Sequence, residues 1–324
     1  MIKITGETPE FRRIQTGWYS FDHALADQTD IGYPLGQITE IYGSNGVGKS
    51  TFAHSLSLIL ARETQSNIAV ADFEGMNVKL LTANSELQEF DGELYRIQDV
   101  KDEKILQELL KSLADKKKQY SVGIVDAVGS ISPVSETDGD LGDANMGRRA
   151  MLMAQFSRKA NHILISNPYK SMLLINHQHP RIGGLGTITP GGETKKYSAS
   201  VRIQVSRMRL KNKEETFPDG SYILKGKVVK NRWGLEDRDF HLFILAGKGV
   251  HKGLTAMYDG AILGLVNRDR TIKIGEQNFG YLKDIIAHAQ DNDEEYFAPF
   301  YQVLEGTENN IELEEEEDVN TDLE

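Results

Sequence analysis

The nine residues GSNGVGKST, Gly43 to Thr51, restrict what this chain can fold into more than any other stretch. They satisfy G-x-x-x-x-G-K-[ST] in full, and they stand between the β-branched run QITEIY and the amphipathic run FAHSLSLILARE. Such a loop works only where a strand delivers it to a helix N-terminus, because the phosphate oxygens are held by inward-turned backbone N–H groups and by the unpaired first amides of the helix. The cradle comprises Gly43, Ser44, Asn45, Gly46, Val47, Gly48, Lys49, Ser50 and Thr51, with Lys49 reaching the β- and γ-phosphates and the Ser50 hydroxyl completing a magnesium shell. The neighbourhood is thereby committed to an α/β fold.

The rest of the pattern agrees. ITEIYG, STFAHSLSLILARE, NIAVADFEG, EKILQELLKSLADKKKQ and SVGIVDAVGSI alternate short apolar β-branched runs with longer amphipathic ones, which predicts a parallel sheet covered by helices. A helix over GRRAMLMAQFSRKANHILIS leads to the strand SMLLINHQ. The period then shortens through SASVRIQVSRMRL, GSYILKGKVVKNRWG and DFHLFILAG, read as strands that extend the sheet with antiparallel members. Four units are expected: a short N-terminal segment 1–15, a core 16–249, a small mixed α+β lobe 250–306 and an acidic tail 307–324 that reads as disordered. The tail carries most of the acidity. Nine acidic and no basic residues lie between Glu308 and Glu324, so the formal net charge of −11 falls to about −2 without them. The absence of cysteine excludes disulfides, thiolate metal sites and cysteine nucleophiles, and the absence of a signal peptide or membrane-length apolar run leads us to expect a cytoplasmic protein.

Hydrolysis of a bound nucleotide needs an acidic group near the metal and another to orient water. Asp126 supplies the first, at the end of the apolar strand SVGIVDAV. The residue after it is Ala127, so the water-orienting base must come from elsewhere. Glu74, at the end of IAVADFEG, is the candidate.

TGWYSFDHAL, YPLGQITEIYGSNGVGKST, VADFEG, SVGIVDAVGSISP, GDLGDANMGRRAM, LLINHQHPRIGG, TPGGETKKYSASVRI and KVVKNRWG follow one another in an order that resembles the RecA family, and the INH triplet resembles its phage-encoded members. The resemblance implies a RecA-type P-loop NTPase core with a mostly parallel central sheet, ATP and Mg2+ as cofactors, and filaments on single-stranded DNA that exchange strands with double-stranded DNA. It implies that His177 senses the γ-phosphate, that ATP lies between protomers of a helical filament, and that Lys230 and Arg232 of an adjacent protomer cap it. Two DNA-facing loops are implied, at about 136–146 and about 178–194. The second contains five glycines and reads as mobile. From Lys195 to Lys213 there are seven basic residues and no acidic one, a run suited to phosphate neutralisation. The DNA-contacting set that the resemblance implies is Met146, Arg148, Arg149, Arg158, Arg181, Gly191, Gly192, Lys195, Lys196 and Arg202. Single-strand-binding or mediator proteins are further partners the resemblance allows, and no membrane is expected. Two alternatives stay open: a ring-forming helicase or motor on the same core, and a mediator that binds ATP without strand exchange.

Overall fold

The computed structural model describes residues 12–76, 87, 90–99, 101–117, 119–133, 147–180, 187–188, 198–208, 218, 220–268, 271–291 and 293–306. Strand β1 (Arg13–Ile14) pairs antiparallel with β2 (Tyr33–Pro34), and α1 (Tyr19–Ala24) lies between them in sequence. Then follow β3 (Ile38–Gly43), α2 (Lys49–Glu63), β4 (Asn67–Asp72), β5 (Leu94–Ile97), α3 (Asp102–Ala114), β6 (Tyr120–Asp126), a 3-10 turn at Val128–Ser130, α4 (Arg148–Ile165) and β7 (Ser171–His177). The short ribbon β8 (His179–Pro180) and β9 (Thr187–Ile188) precedes β10 (Val201–Met208), β11 (Tyr222–Asn231), β12 (Arg238–Leu245) and β13 (Gly249–Val250). Helix α5 (Lys252–Ile262), the strands β14 (Asn267–Arg268), β15 (Ile272–Ile274) and β16 (Gln277–Asn278), helix α6 (Leu282–Asp291) and a helical segment over 294–306 complete the described chain.

Among the described residues nine strands form one sheet in the order β13-β12-β11-β10-β3-β7-β6-β4-β5. From β10 to β5 every neighbouring pair is parallel, and β11, β12 and β13 add antiparallel members at the other edge. This is the mostly parallel sheet with antiparallel extension that the sequence rhythm predicts. All seven residues of β6 and all six of β3 are buried, as strands covered on both faces must be. Along β4 the sides alternate: Ile68 and Val70 join the core under α2, while Ala69 and Ala71 join the one under α3 and α4.

Two aromatic-rich contacts hold the outer layers. Phe52 of α2 meets Trp18, Phe21 and Phe240 at ring-centroid distances of 6.0, 5.4 and 5.8 Å, which ties α1 and β12 to the helix that follows the phosphate loop. Burial of each such phenyl ring contributes about 1.5–3 kcal/mol. The C-terminal helices pack Leu254, Met257, Ile285, Phe297 and Phe300 against Ile223, Phe243 and Leu245 of the sheet. His251 caps α5: its Nδ1 accepts from the Leu254 amide at 3.1 Å and its Nε2 donates to the Ala289 carbonyl at 3.1 Å. Burial pushes its pKa down to about 4, so the ring is neutral and can do both.

Two differences from the sequence reading stand out. Arg13 and Ile14, assigned to the N-terminal segment, are part of the packed structure. Ile14 is buried, and the Arg13 guanidinium donates to Asp27 Oδ2 and to the carbonyls of Leu25, Gly32 and Trp233. Strand β5, four residues long at the sheet edge, was not read from LYRI. The tail and residues 1–11 lie outside the described residues.

Candidate nucleotide site and nucleic-acid interface

Strand β3 occupies the middle of the sheet and ends at Gly43, where a side chain would meet the Val205 carbonyl oxygen at 2.2 Å. The chain turns through Ser44, Asn45 and Gly46, all exposed, to Gly48 at φ 95°, which precedes the first residue of α2. A side chain at Gly48 would be strained by its backbone and would also lie 2.0 Å from the Tyr222 hydroxyl. Tyr222 in turn hydrogen-bonds Thr51, so β11 buttresses the loop from behind. No acidic residue sits in the first turn of α2, leaving its dipole free for an anion.

Lys49 is buried and its Nζ donates to the Ser44 carbonyl at 2.9 Å, so its own side chain closes the loop. Burial pushes its pKa below the usual lysine range, and the carboxylates of Glu74 and Asp126 oppose that shift. Asp126 ends β6 beside α2. It is buried, its Oδ2 lies 3.8 Å from His54 Nε2, and its Oδ1 has no hydrogen-bond partner among the described residues. An orphaned carboxylate oxygen beside a phosphate-binding loop suits a hard divalent cation, which takes oxygen ligands. The residues present therefore fit Mg2+ held by Ser50 and Asp126.

Glu74 leaves the end of β4, next to β6. Its Oε1 accepts from Ser130 Oγ at 2.8 Å and meets His177 Nε2 at 2.5 Å. Two residues from distant parts of the sequence thus converge at the tips of β4 and β7. Below His177, Asn176 accepts the His177 amide and donates to the buried Glu40. A pocket lined by Ser50, Thr51, His54, Glu74, Asp126 and Tyr222, together with Ala246 and Gly247, opens beside these groups.

The sequence comparisons fall on this architecture. The family described as RecA N-terminal domain matches residues 2–251, more than three quarters of the chain. The chain belongs to the RecA family. Protein RecA of Wolinella succinogenes is 30% identical over 287 residues, covering 86% of this chain and 79% of that protein. Protein RecA of Helicobacter pylori strain P12 is 30% identical over 260 residues (79% and 72%), and that of Ruminococcus albus is 29% identical over 308 (92% and 71%). As a RecA-family protein the chain is an ATP-dependent recombination protein. It binds ATP with Mg2+, forms filaments on single- and double-stranded DNA, and is a DNA-dependent ATPase whose activity accompanies strand exchange.

The remaining sequence-derived residues of this RecA-family protein are distributed unevenly. Lys230 and Arg232 flank the end of β11. Arg232 is exposed with its guanidinium 5.6 Å from the Trp233 ring, and Lys230 Nζ donates to the Ala199 carbonyl at 2.6 Å. Burial pushes Lys230 below the usual lysine range, assisted by the nearby Arg202 and Arg232 cations. The turn itself is held rigidly: Asn231 Nδ2 donates to the Leu25 carbonyl, and Arg13 holds the Trp233 carbonyl.

Of the residues implied to contact DNA, Arg148 and Arg158 are exposed on α4, and Arg149 donates to the Gly129 carbonyl at 2.9 Å. Met146, Arg181, Gly191, Gly192, Lys195 and Lys196, with all of the first implied loop and twelve of the seventeen residues of the second, lie outside the described residues. Arg202 differs from its expected setting as a phosphate-neutralising surface cation. Its Nε donates to Glu40 Oε2 at 2.7 Å, its side chain is 12% exposed, and its guanidinium lies 4.6 Å from the Tyr42 ring. Alternation along β10 turns Arg202 toward the buried Glu40 on the neighbouring strand, so its charge is spent inside the protein. Among the described residues no helix is long and apolar enough to cross a membrane.

Proposed function

We propose that ATP is bound and hydrolysed between neighbouring protomers of the filament, by residues drawn from both. The observation that supports this best is the convergence of Ser50, Asp126, Glu74 and His177 around the phosphate loop, while Lys230 and Arg232 sit at the end of β11, on the far side of β10. In this reading the amides of 44–51 and Lys49 take the phosphates, and Ser50 and Asp126 hold Mg2+. The ion supplies charge neutralisation along the phosphates. Glu74 orients the attacking water from the tip of β4. His177, in contact with Glu74 and at the head of the segment leading to the second implied DNA loop, links the state of the γ-phosphate to DNA binding. Arg232 and Lys230 of the next protomer offset the transferred charge, in the manner of an arginine finger supplied in trans.

Residues 16–249, joined by Arg13 and Ile14, form the ATPase core of this reading, and 250–306 a lobe packed on the sheet edge. The DNA-facing set is Arg148, Arg149 and Arg158 with the two loops, Arg202 serving instead as an internal ion pair. The basic run from Lys195 grips the DNA backbone, and the acidic tail competes for it. In this reading the INH triplet supports a kinship with the phage-encoded members and a role in the cytoplasm of a bacterial or phage-infected cell. The test is ATP hydrolysis measured with and without single-stranded DNA, alongside electron microscopy of the assemblies. Glu74→Gln is expected to retain ATP binding and filaments while lowering kcat by about 10²- to 10⁴-fold. Closed rings that hydrolyse ATP without DNA would overturn the reading.

A further inference from the structure

The loop that carries Glu74 is held by a single carboxylate. Asp72, the last residue of β4, has a side chain 1% exposed. Its Oδ1 accepts the amides of Glu74 at 3.2 Å and Gly75 at 2.8 Å, and its Oδ2 accepts the amide of Met76 at 2.8 Å. Three successive N–H groups are thus gathered onto one side chain, a local turn that sets the direction in which Glu74 leaves the sheet. The Phe73 amide is fixed separately, to the carbonyl of Asp126 at 2.7 Å.

The second half of the device comes from the edge strand. Arg96 of β5 reaches along the same face as Val70, its register partner, and donates to Asp72 Oδ2 through Nε at 2.6 Å and Nη2 at 2.5 Å. A carboxylate with one oxygen clamped by a guanidinium fork cannot rotate freely about its terminal bond. The other oxygen is therefore left facing the Glu74 and Gly75 amides. The pair also places a positive charge beside a carboxylate that would otherwise repel the phosphates of a nearby nucleotide.

We propose that Arg96, acting through Asp72, is a positioning residue for the ATPase reaction: it fixes the 73–76 turn and so the placement of the Glu74 carboxylate against Ser130 and His177. This rests on the reading of Glu74 as the water-orienting group. An edge-strand ion pair of purely structural value would lower stability without favouring one kinetic constant, whereas a positioning pair acts on turnover and leaves the phosphate loop, on the other side of β6, untouched.

The experiment uses the full chain with Arg96→Met and Arg96→Lys, each alone and with Glu74→Gln. Hydrogen exchange is followed over residues 73–76 in protein without nucleotide or DNA, where Arg96→Met is expected to speed exchange by about tenfold through local opening. Single-stranded-DNA-stimulated hydrolysis should show kcat lowered by about 10- to 100-fold, as expected for a displaced catalytic group, with the dissociation constant for a fluorescent ATP analogue within about twofold of wild type. Arg96→Lys, which keeps the charge but loses the fork, should recover part of both effects. In the Glu74→Gln background Arg96→Met should lower kcat no further, since it acts through the missing carboxylate. Unchanged exchange at 73–76, a parallel loss of nucleotide affinity, or additive losses in the double variant each overturn the proposal. Full turnover by Glu74→Gln alone would instead overturn the role of Glu74, and the exchange measurement would still decide whether Arg96 orders the turn.

Discussion

At the scale of single residues, the placement of charge inside the sheet decides which cations are available to a ligand. Glu40 is buried on β3 and receives both Asn176 Nδ2 and Arg202 Nε. Removing Arg202 leaves a carboxylate without its counter-ion in the interior, so Arg202→Met is expected to destabilise by about 3–5 kcal/mol in chemical denaturation, with Glu40→Gln/Arg202→Met regaining most of the loss. The salt dependence of DNA binding by the folded protein should be unchanged, because no phosphate contact is removed. Sequence reasoning could identify Arg202 as basic within a basic run. It could not show that the register of β10 against β3 pairs Arg202 with Glu40, 162 residues earlier. Asp72 and Arg96 were missed for the same reason. VADFEG displays the Asp two residues before the Glu, but its partner sits on a strand too short for its periodicity to register. By contrast, Gly43 to Thr51, Asp126 and Glu74 were legible because each is defined by its position at a strand end, and local apolar runs reveal strand ends.

At the scale of elements, α1 and α5 meet through a buried carboxyl. Asp259 Oδ2 accepts the Ser20 amide at 3.0 Å, and burial pushes the Asp259 pKa up to about 7 despite the Ser20 hydrogen bonds. The folded state therefore prefers the protonated acid. Below the ordinary carboxylate pKa both states are protonated and the full contribution is present. As pH rises toward about 7 the unfolded chain ionises first and the contribution is lost, an effect on the order of a few kcal/mol. Urea midpoints measured from pH 4 to 8 should fall more steeply for the wild type than for Asp259→Asn. Equal slopes would show that Asp259 ionises freely in the folded protein. This contact was not predictable from sequence, since it joins residues 239 positions apart through the lobe that only the packing against Ile223 and Phe243 defines.

At the scale of the whole molecule, the fold separates the two halves of the proposed active site. Glu74 and Asp126 stand at the ends of β4 and β6, while Arg232 follows β11, with β7, β3 and β10 between β6 and β11. One protomer thus presents the proposed water-orienting group at one place and the proposed capping cation at another, which suits a head-to-tail assembly in which each interface completes one site. Arg232→Ala should lower DNA-stimulated turnover by about 10³-fold, comparable to loss of an arginine finger. Glu74→Gln should fail for a different reason, so the two inactive proteins complement each other. In a randomly mixed equimolar filament, about one interface in four joins an intact Glu74 to an intact Arg232, and activity should recover to about a quarter of wild type. A cap acting within its own protomer would give no recovery, because every chain in the mixture then lacks one of the two groups.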